Sequence, residues 1–99
     1  MLAQITLDRE RLADFCRTNR ILRLALFGSV LRNDFRVDSD VDVLVEFEPG
    51  VRIGLIGLAQ LELDLSELIG RTVDLNTPGG IHRRFRDQVL AEAEVVYAA

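Results

Sequence analysis

The sequence predicts a single α/β domain, in which amphipathic helical segments alternate with short apolar strands. Two further observations support this class: Gly and Pro residues separate the segments, and 99 residues are enough for one hydrophobic core. The chain is 48% hydrophobic and 28% charged, which is typical of a globular protein rather than a disordered one. We therefore expect residues 1–99 to form one domain, without repeats or linkers.

The first predicted elements are a helix and a buried strand. Asp8 can cap a helix over about residues 8–19, in which apolar side chains recur at helical spacing. The apolar side chains at that spacing are Leu12, Phe15 and Cys16. Residues 21–27 are mostly apolar and contain no breaker before Gly28, so they predict a strand that is buried.

A short helix, a loop and a second strand are predicted next. Ser29 can cap a short helix over about residues 29–33, and the residues from 33 to 39 are mostly polar, as in a loop. Residues 41–47 then alternate Val or Phe with mostly polar residues. Because side chains of a strand alternate between its two faces, this pattern predicts a strand with one apolar face.

The second half of the chain predicts a long helix, a strand, a further helix and a last strand. The most regular helical pattern covers residues 53–69, and Gly70 stands where a helix often ends in a left-handed residue. The apolar stripe of this helix consists of Leu55, Leu58, Leu61, Leu65 and Leu68. Residues 72–75 predict a short strand, the Thr-Pro-Gly-Gly sequence at 77–80 predicts the opening of a helix, and residues 95–97 predict a short final strand.

Charge and residue usage exclude several classes of function. Twelve basic and 16 acidic residues give a net charge of −4, which argues against binding of nucleic acid by bulk electrostatics. Every basic residue is Arg, so Schiff-base chemistry and the phosphate-binding Lys of a P-loop are excluded. One Cys and one His cannot form an intrachain disulfide or the usual Cys/His zinc site, which leaves metals that accept carboxylates.

The sequence also predicts a protein of the cytoplasm. No apolar run reaches the length that a membrane span needs, and residues 8–10 are charged where a signal peptide would be apolar. A single cysteine agrees with a reducing compartment.

One group of residues suits phosphate chemistry. The first predicted strand ends at Gly28 and Ser29, where a helix start offers backbone N–H groups and a partial positive charge to an anion. Asp40 and Asp42 follow, two apart on a strand, so both carboxylates point to the same side. Two neighbouring carboxylates repel each other, so one of them must bind a proton or both must share a cation. Mg²⁺ and Mn²⁺ are suitable cations, because they prefer oxygen ligands. Asp74 is a third carboxylate, inside an apolar strand.

Each of these features has an ordinary structural interpretation when taken alone. A Gly-Ser pair after a strand is often only a turn, and Asp74 could form a surface salt bridge with Arg71. Arg32 could contact phosphate, or could pair with Asp34 or Asp38 to hold the loop, and the sequence does not decide between these. It is their combination, in this order and spacing, that favours a functional site.

The stretch GSVLRNDFRVDSDVDVLVEF, residues 28–47, resembles the signature of the DNA polymerase beta-like nucleotidyltransferase superfamily. That signature is Gly-Ser, a gap of about ten residues, Asp-x-Asp between apolar residues, and a later apolar-acid-apolar strand, here residues 73–75. The length and the closing stretch IHRRFRDQVLAEAEVVYAA resemble the minimal nucleotidyltransferases, which are commonly the antitoxin half of a pair with a helical HEPN-type toxin. The resemblance implies a small domain with a mixed sheet packed against helices.

The resemblance also implies a role for each residue of the group. Gly28 and Ser29 would cradle the β- and γ-phosphates of a nucleoside triphosphate, with Arg32 beside them, and two divalent metals would bind to the carboxylates. The metal-binding and catalytic carboxylates would be Asp40, Asp42 and Asp74. Many members have Arg-Gly after the short helix, whereas this chain has Arg-Asn at 32–33, and Asn tolerates the left-handed conformation.

The expected function is therefore transfer of a nucleoside monophosphate, AMP from ATP by resemblance, to a hydroxyl of a partner protein in a toxin–antitoxin system. Two alternatives stay open at this point. The domain could neutralise a toxin by contact alone, or it could bind nucleotide as a sensor without transfer.

Overall fold

Helices and strands alternate along the computed structural model, which describes residues 5, 7–32, 35, 36 and 38–99. The strands are β1 (Ile21–Phe27), β2 (Val41–Phe47), β3 (Val73–Asn76) and β4 (Glu94–Ala98). The α-helices are α1 (Arg9–Thr18), α2 (Leu55–Ile69) and α3 (Arg83–Glu92), and two short 3₁₀ turns cover Gly28–Leu31 and Pro78–Gly80. No α-helix in the described part of the chain is long and apolar enough to cross a bilayer.

The four strands form one mixed sheet in the order β3-β2-β1-β4. The central strand β1 pairs antiparallel with both β2 and β4, whereas β2 and β3 run parallel. Parallel neighbours require a long crossover, and α2 provides it between β2 and β3. The predicted α/β class with a mixed sheet packed against helices is confirmed.

The hydrophobic core lies between one face of the sheet and the helices α1 and α2. On β2 the side chains of Val41, Val43 and Val45 are completely buried in this core. The alternation of a strand therefore directs Asp42 to the opposite face, away from both helices. Cys16 of α1 is also fully buried, which raises the pKa of its thiol to about 12.

The first two predicted elements agree closely with the structure. The Asp8 carboxylate accepts a hydrogen bond of 3.1 Å from the Arg11 backbone N–H, as an N-cap residue should. The helix ends at Thr18, one residue before the predicted end, and β1 has the predicted bounds. The predicted short helix is instead a 3₁₀ turn from Gly28 to Leu31, and its predicted end at Asn33 lies outside the described residues.

The prediction of the long helix is confirmed for its middle and its end but is wrong for its start. It begins at Leu55 rather than residue 53, and Gly70 ends it with φ +79°. Leu61 and Leu65 are buried as expected, but Leu55 is 87% exposed. The physical reason is length: β3, of four residues, spans about 13 Å, whereas a 15-residue helix spans about 22 Å. The first turn of α2 therefore extends beyond the strand that it covers.

The predicted helix at 77–80 is also corrected. Thr77 caps only a 3₁₀ turn, by accepting a 3.2 Å hydrogen bond from the Gly80 backbone N–H, and α3 begins at Arg83 after His82. Two successive glycines lack the helix propensity to continue that turn. The last two strands are present, β3 one residue later than predicted and β4 two residues longer.

Candidate active site

The site begins where β1 ends and the chain enters the first 3₁₀ turn. Gly28 has φ +75°, a left-handed conformation that glycine adopts without steric cost. Asp42 pairs with Phe27 in the β1–β2 ladder, so its side chain stands beside this turn. A Cβ atom at position 28 would lie only 2.2 Å from Asp42 Oδ2. The carboxylate of Asp42 thus occupies the space that a side chain on Gly28 would need.

The second carboxylate comes from the neighbouring strand. In the parallel β2–β3 register, Asp42 lies directly beside Asp74. Burial raises the pKa of Asp42, and the negative charges of Asp74 and Asp40 raise it further. Hydrogen bonding with the Asp74 carboxyl raises the pKa of Asp42 as well. The side-by-side placement of these two strands concentrates negative charge beside the Gly28 turn.

The remaining predicted residues surround this pair. The prediction that Asp40 lies on the same strand as Asp42 is wrong, because Asp40 is exposed one residue before β2 begins. Ser29 belongs to the 3₁₀ turn, and its carbonyl accepts a 2.9 Å hydrogen bond from the Arg32 backbone N–H. The positive charge of Arg32 acts on Asp42 and lowers its pKa, against the larger effect of burial and the acidic neighbours. Of the open interpretations of Arg32, the pairing with Asp34 concerns a residue outside the described part of the chain.

The alternative of a salt bridge between Asp74 and Arg71 is not what the structure contains. Arg71 Nη1 donates a 3.2 Å hydrogen bond to the Arg36 carbonyl, and its guanidinium lies 4.7 Å from the centre of the Phe35 ring. Ser39 Oγ accepts a 3.0 Å hydrogen bond from the Arg36 backbone N–H, as expected of a residue that caps a turn. These contacts brace the loop before β2 and leave Asp74 to Asp42.

A cleft of about 470 Å³ adjoins the Gly28 turn. One wall consists of Gly28, Leu31 and Arg32, and the other of Ala91 and Glu92 at the end of α3. This second wall was not predictable from the residue pattern, because it depends on how β4 pairs with β1. A larger concavity of about 740 Å³ lies along α2 beside the loop that precedes β2, and neither Gly28 nor any of the three aspartates lines it.

The donor set fits a divalent cation in its chemistry. All three side chains offer carboxylate oxygens, which Mg²⁺ and Mn²⁺ prefer, and burial together with the negative charges of Asp74 and Asp40 raises the pKa of Asp42 despite the positive charge of Arg32. Among the described residues, however, no three carboxylate, His or Cys side chains are already arranged as a complete ligand set. A bound cation would supply positive charge to these carboxylates.

Known proteins resemble this chain in sequence and in fold. Residues 9–96 match the family model of the nucleotidyltransferase domain. A Methanocaldococcus jannaschii protein, described as a candidate protein adenylyltransferase, is 40% identical over 73 residues, which cover 74% of this chain and 76% of the relative. The structure of a candidate minimal nucleotidyltransferase is 42% identical and superimposes with a TM-score of 0.69 over 86% of this chain and 85% of that one.

A more distant structure has the same fold. It is the tri-AMPylated HEPN toxin of Shewanella oneidensis in complex with its MNT antitoxin, matched with a TM-score of 0.66 over 92% of this chain and 70% of that chain. At 19% identity this likeness concerns the fold alone. From the family match over most of the chain, and from the relative that shares 40% of its residues, we conclude that the chain belongs to the nucleotidyltransferase domain family and is a nucleotidyltransferase.

Proposed function

We propose that this protein is a metal-dependent protein adenylyltransferase, which transfers AMP from ATP to a hydroxyl of a HEPN-type toxin and so acts as its antitoxin. The observation that carries the proposal is the position of Asp42, which lies against the Gly28 turn on one side and beside Asp74 on the other. A phosphate-binding turn and a pair of acids then meet at one point. The name of the archaeal relative and the AMPylated toxin of the neighbouring complex support adenylyl transfer and a HEPN-type acceptor.

The turn after β1 would hold the phosphates of ATP. Gly28 would offer its backbone to the phosphate oxygens from the side away from the Asp42 carboxylate, and Ser29 would add a hydroxyl donor. Arg32 lines the adjoining cleft and contributes positive charge on the phosphate side. These three residues bind and orient the nucleotide without taking part in bond making.

The three carboxylates would bind the metal and serve the acceptor. Asp40 and Asp42 would hold Mg²⁺ or Mn²⁺ together with Asp74, and the metal would supply positive charge to the triphosphate. In the reaction, the acceptor oxygen forms a bond to the α-phosphorus of ATP while the bond to the pyrophosphate oxygen breaks. Asp74 would take up the proton of the acceptor hydroxyl, and pyrophosphate would leave with the displaced oxygen.

A labelling experiment tests the proposal. The protein is incubated with Mg²⁺, ATP labelled at the α-phosphate and a candidate HEPN protein, and the label on each protein is measured with its mass shift. We expect one adenylyl group per modified hydroxyl, and loss of labelling in Asp42→Asn. Asp64→Asn is the matched control, because Asp64 is an exposed carboxylate on α2, on the other side of the sheet.

The outcomes of that experiment separate the proposal from its alternatives. A stable complex without label would indicate a module that neutralises by contact, and nucleotide binding without transfer to any protein would indicate a sensor. Metal dependence needs a separate measurement: we expect ATP affinity, measured by calorimetry, to fall when a chelator removes Mg²⁺, because the carboxylates would then face the phosphates without compensation. Equal affinity with and without metal would contradict the metal-binding role.

A further inference from the structure

The outer side of α2 exposes large aliphatic side chains. Leu55, Ile56 and Leu63 are 87%, 89% and 63% exposed, although this helix is otherwise well packed through Leu61 and Leu65. We use the name outer face for the stripe of exposed residues at helical spacing opposite the core. The outer face consists of Ile56, Ala59, Gln60, Leu63 and Glu67. Exposed apolar side chains that form a contiguous patch mark interaction sites, whereas single ones need no explanation.

The charges at the two ends of α2 are placed unfavourably for a helix on its own. A helix N-terminus carries partial positive charge and its C-terminus partial negative charge. Arg52, however, stands just before the start of α2, the first turn has no acidic residue, and Glu67 lies in a last turn without a basic residue. No side chain caps the start at Gly54. Within α2 itself, neither the first nor the last turn carries the charge that would stabilise that end.

A second copy of α2, packed antiparallel, supplies the missing charges. In such a pair the start of one helix lies against the end of the other, so Arg52 faces Glu67 of the second copy and the two helix dipoles oppose each other. With the two-fold axis between Ala59 and Gln60, Ile56 meets Leu63 of the second copy. The pairing is isologous, because each contact occurs twice by symmetry.

The shape of the surface agrees with the charges. Ile56 projects from the first part of α2, whereas the last part borders the concavity of about 740 Å³. Leu63 and the carboxylates of Asp64 and Glu67 line that concavity. An antiparallel pair therefore places the projecting side chain of each copy at the hollow of the other, with Arg52 at its acidic rim. We propose that the outer face of α2 is a homodimer interface, formed by two antiparallel copies of this helix.

The proposed interface lies away from the candidate active site. The core separates α2 from the sheet face that carries Asp42 and Asp74, so both sites of a dimer stay open. Dimer formation through α2 and adenylyl transfer therefore use different surfaces and can be tested separately.

Sedimentation equilibrium of the full chain over a wide concentration range tests the interface. We expect a reversible dimer, and Ile56→Asp should raise its dissociation constant at least about a hundredfold, because a carboxylate would be buried against an apolar side chain. Leu90→Asp is the matched control: Leu90 is 42% exposed on α3, and its replacement should leave the dissociation constant unchanged. A monomer at all concentrations, or a dimer insensitive to Ile56→Asp, would overturn the proposal.

Charge reversal tests the antiparallel arrangement. Arg52→Glu and Glu67→Arg should each weaken the dimer, by about tenfold for two symmetric ion pairs, and the double variant should restore it. The position of the two-fold axis is tested with a cysteine variant. Gln60 lies next to the proposed axis, so Gln60→Cys should form a disulfide-linked dimer on mild oxidation, whereas Gln88→Cys on α3 should not. Additive losses in the double variant, or equal crosslinking at both positions, would refute the antiparallel pair.

Discussion

Replacement of Gly28 by Ala tests the central contact of the candidate site. The new Cβ would lie 2.2 Å from Asp42 Oδ2, well inside van der Waals contact, and it would also require Ala to keep φ near +75°. Two costs therefore arise, one in the backbone and one in the position of a carboxylate. They act on different observables, because backbone strain lowers stability whereas a displaced carboxylate lowers activity.

The structure allows both magnitudes to be worked out. A left-handed conformation costs a residue with a Cβ about 1–2 kcal/mol, which shifts the Tm of a small domain by roughly 4–16 °C. The clash itself should add little, because Asp42 Oδ2 is the end of a side chain that can rotate away. That rotation removes the carboxylate from Asp74, and a displacement of about 1 Å in an active site can cost roughly a hundredfold in rate.

Gly70→Ala is a matched control within the same chain. Gly70 has φ +79°, almost the same as Gly28, but a Cβ there would meet nothing within 4 Å. Both variants should lose similar stability in thermal unfolding without metal, whereas only Gly28→Ala should lose adenylyl transfer, measured as the single-turnover rate. A Gly28→Ala protein that unfolds at a lower temperature but transfers at the normal rate would refute the reasoning, since Asp42 would not be needed where it lies.

Three further predictions concern single side chains. Burial and acidic neighbours raise the pKa of Asp42, so the folded protein binds a proton there more tightly than the unfolded chain does. The metal-free protein should therefore lose stability as the pH rises from about 4, the ordinary pKa of Asp, through the raised pKa of the folded state. Asp42→Asn should remove that loss and be at least as stable at neutral pH in urea unfolding with chelator; a clearly less stable variant would contradict this. Asp74→Asn should keep ATP affinity but lower the single-turnover rate at least about a hundredfold, and near-normal transfer would remove Asp74 from the mechanism. Cys16 has no exposed surface, and burial raises the pKa of its thiol to about 12. It should therefore react with a thiol reagent at pH 8 only as fast as the protein unfolds locally. Immediate labelling of the native protein would show that α1 is not packed as described.

Short apolar runs between strong breakers made much of the fold predictable. The bounds of β1 and β2 follow from such runs, since Gly28 ends one of them and the sequence Glu-Pro-Gly at 48–50 ends the other. The N-terminus of α1 was predictable because an Asp cap acts on a backbone N–H only three residues away. The motif residues were found in the same way, from spacing along one stretch of chain.

The start of α2 and the exposure of its first turn were not predictable from the pattern. An apolar stripe shows which side of a helix prefers a core, but not how far the opposing strand extends. Because β3 has four residues and α2 has 15, the stripe continues past the strand at Leu55. The start of α3 was predicted too early for a different reason. A Thr cap followed by Pro is compatible with a 3₁₀ turn as well as with an α-helix.

Sequence alone specifies the chemical groups of the candidate site: a Gly-Ser pair after a strand, two aspartates two residues apart and a third aspartate on a later strand. Only the tertiary structure decided that Asp74 lies beside Asp42, because a parallel register is set by long-range hydrogen bonds and packing across a helical crossover. The tertiary structure likewise decided that Asp42 fills the space over Gly28, since that contact depends on the ladder between β1 and β2. Residue types are fixed locally, whereas the distances between their side chains arise only when distant strands pair.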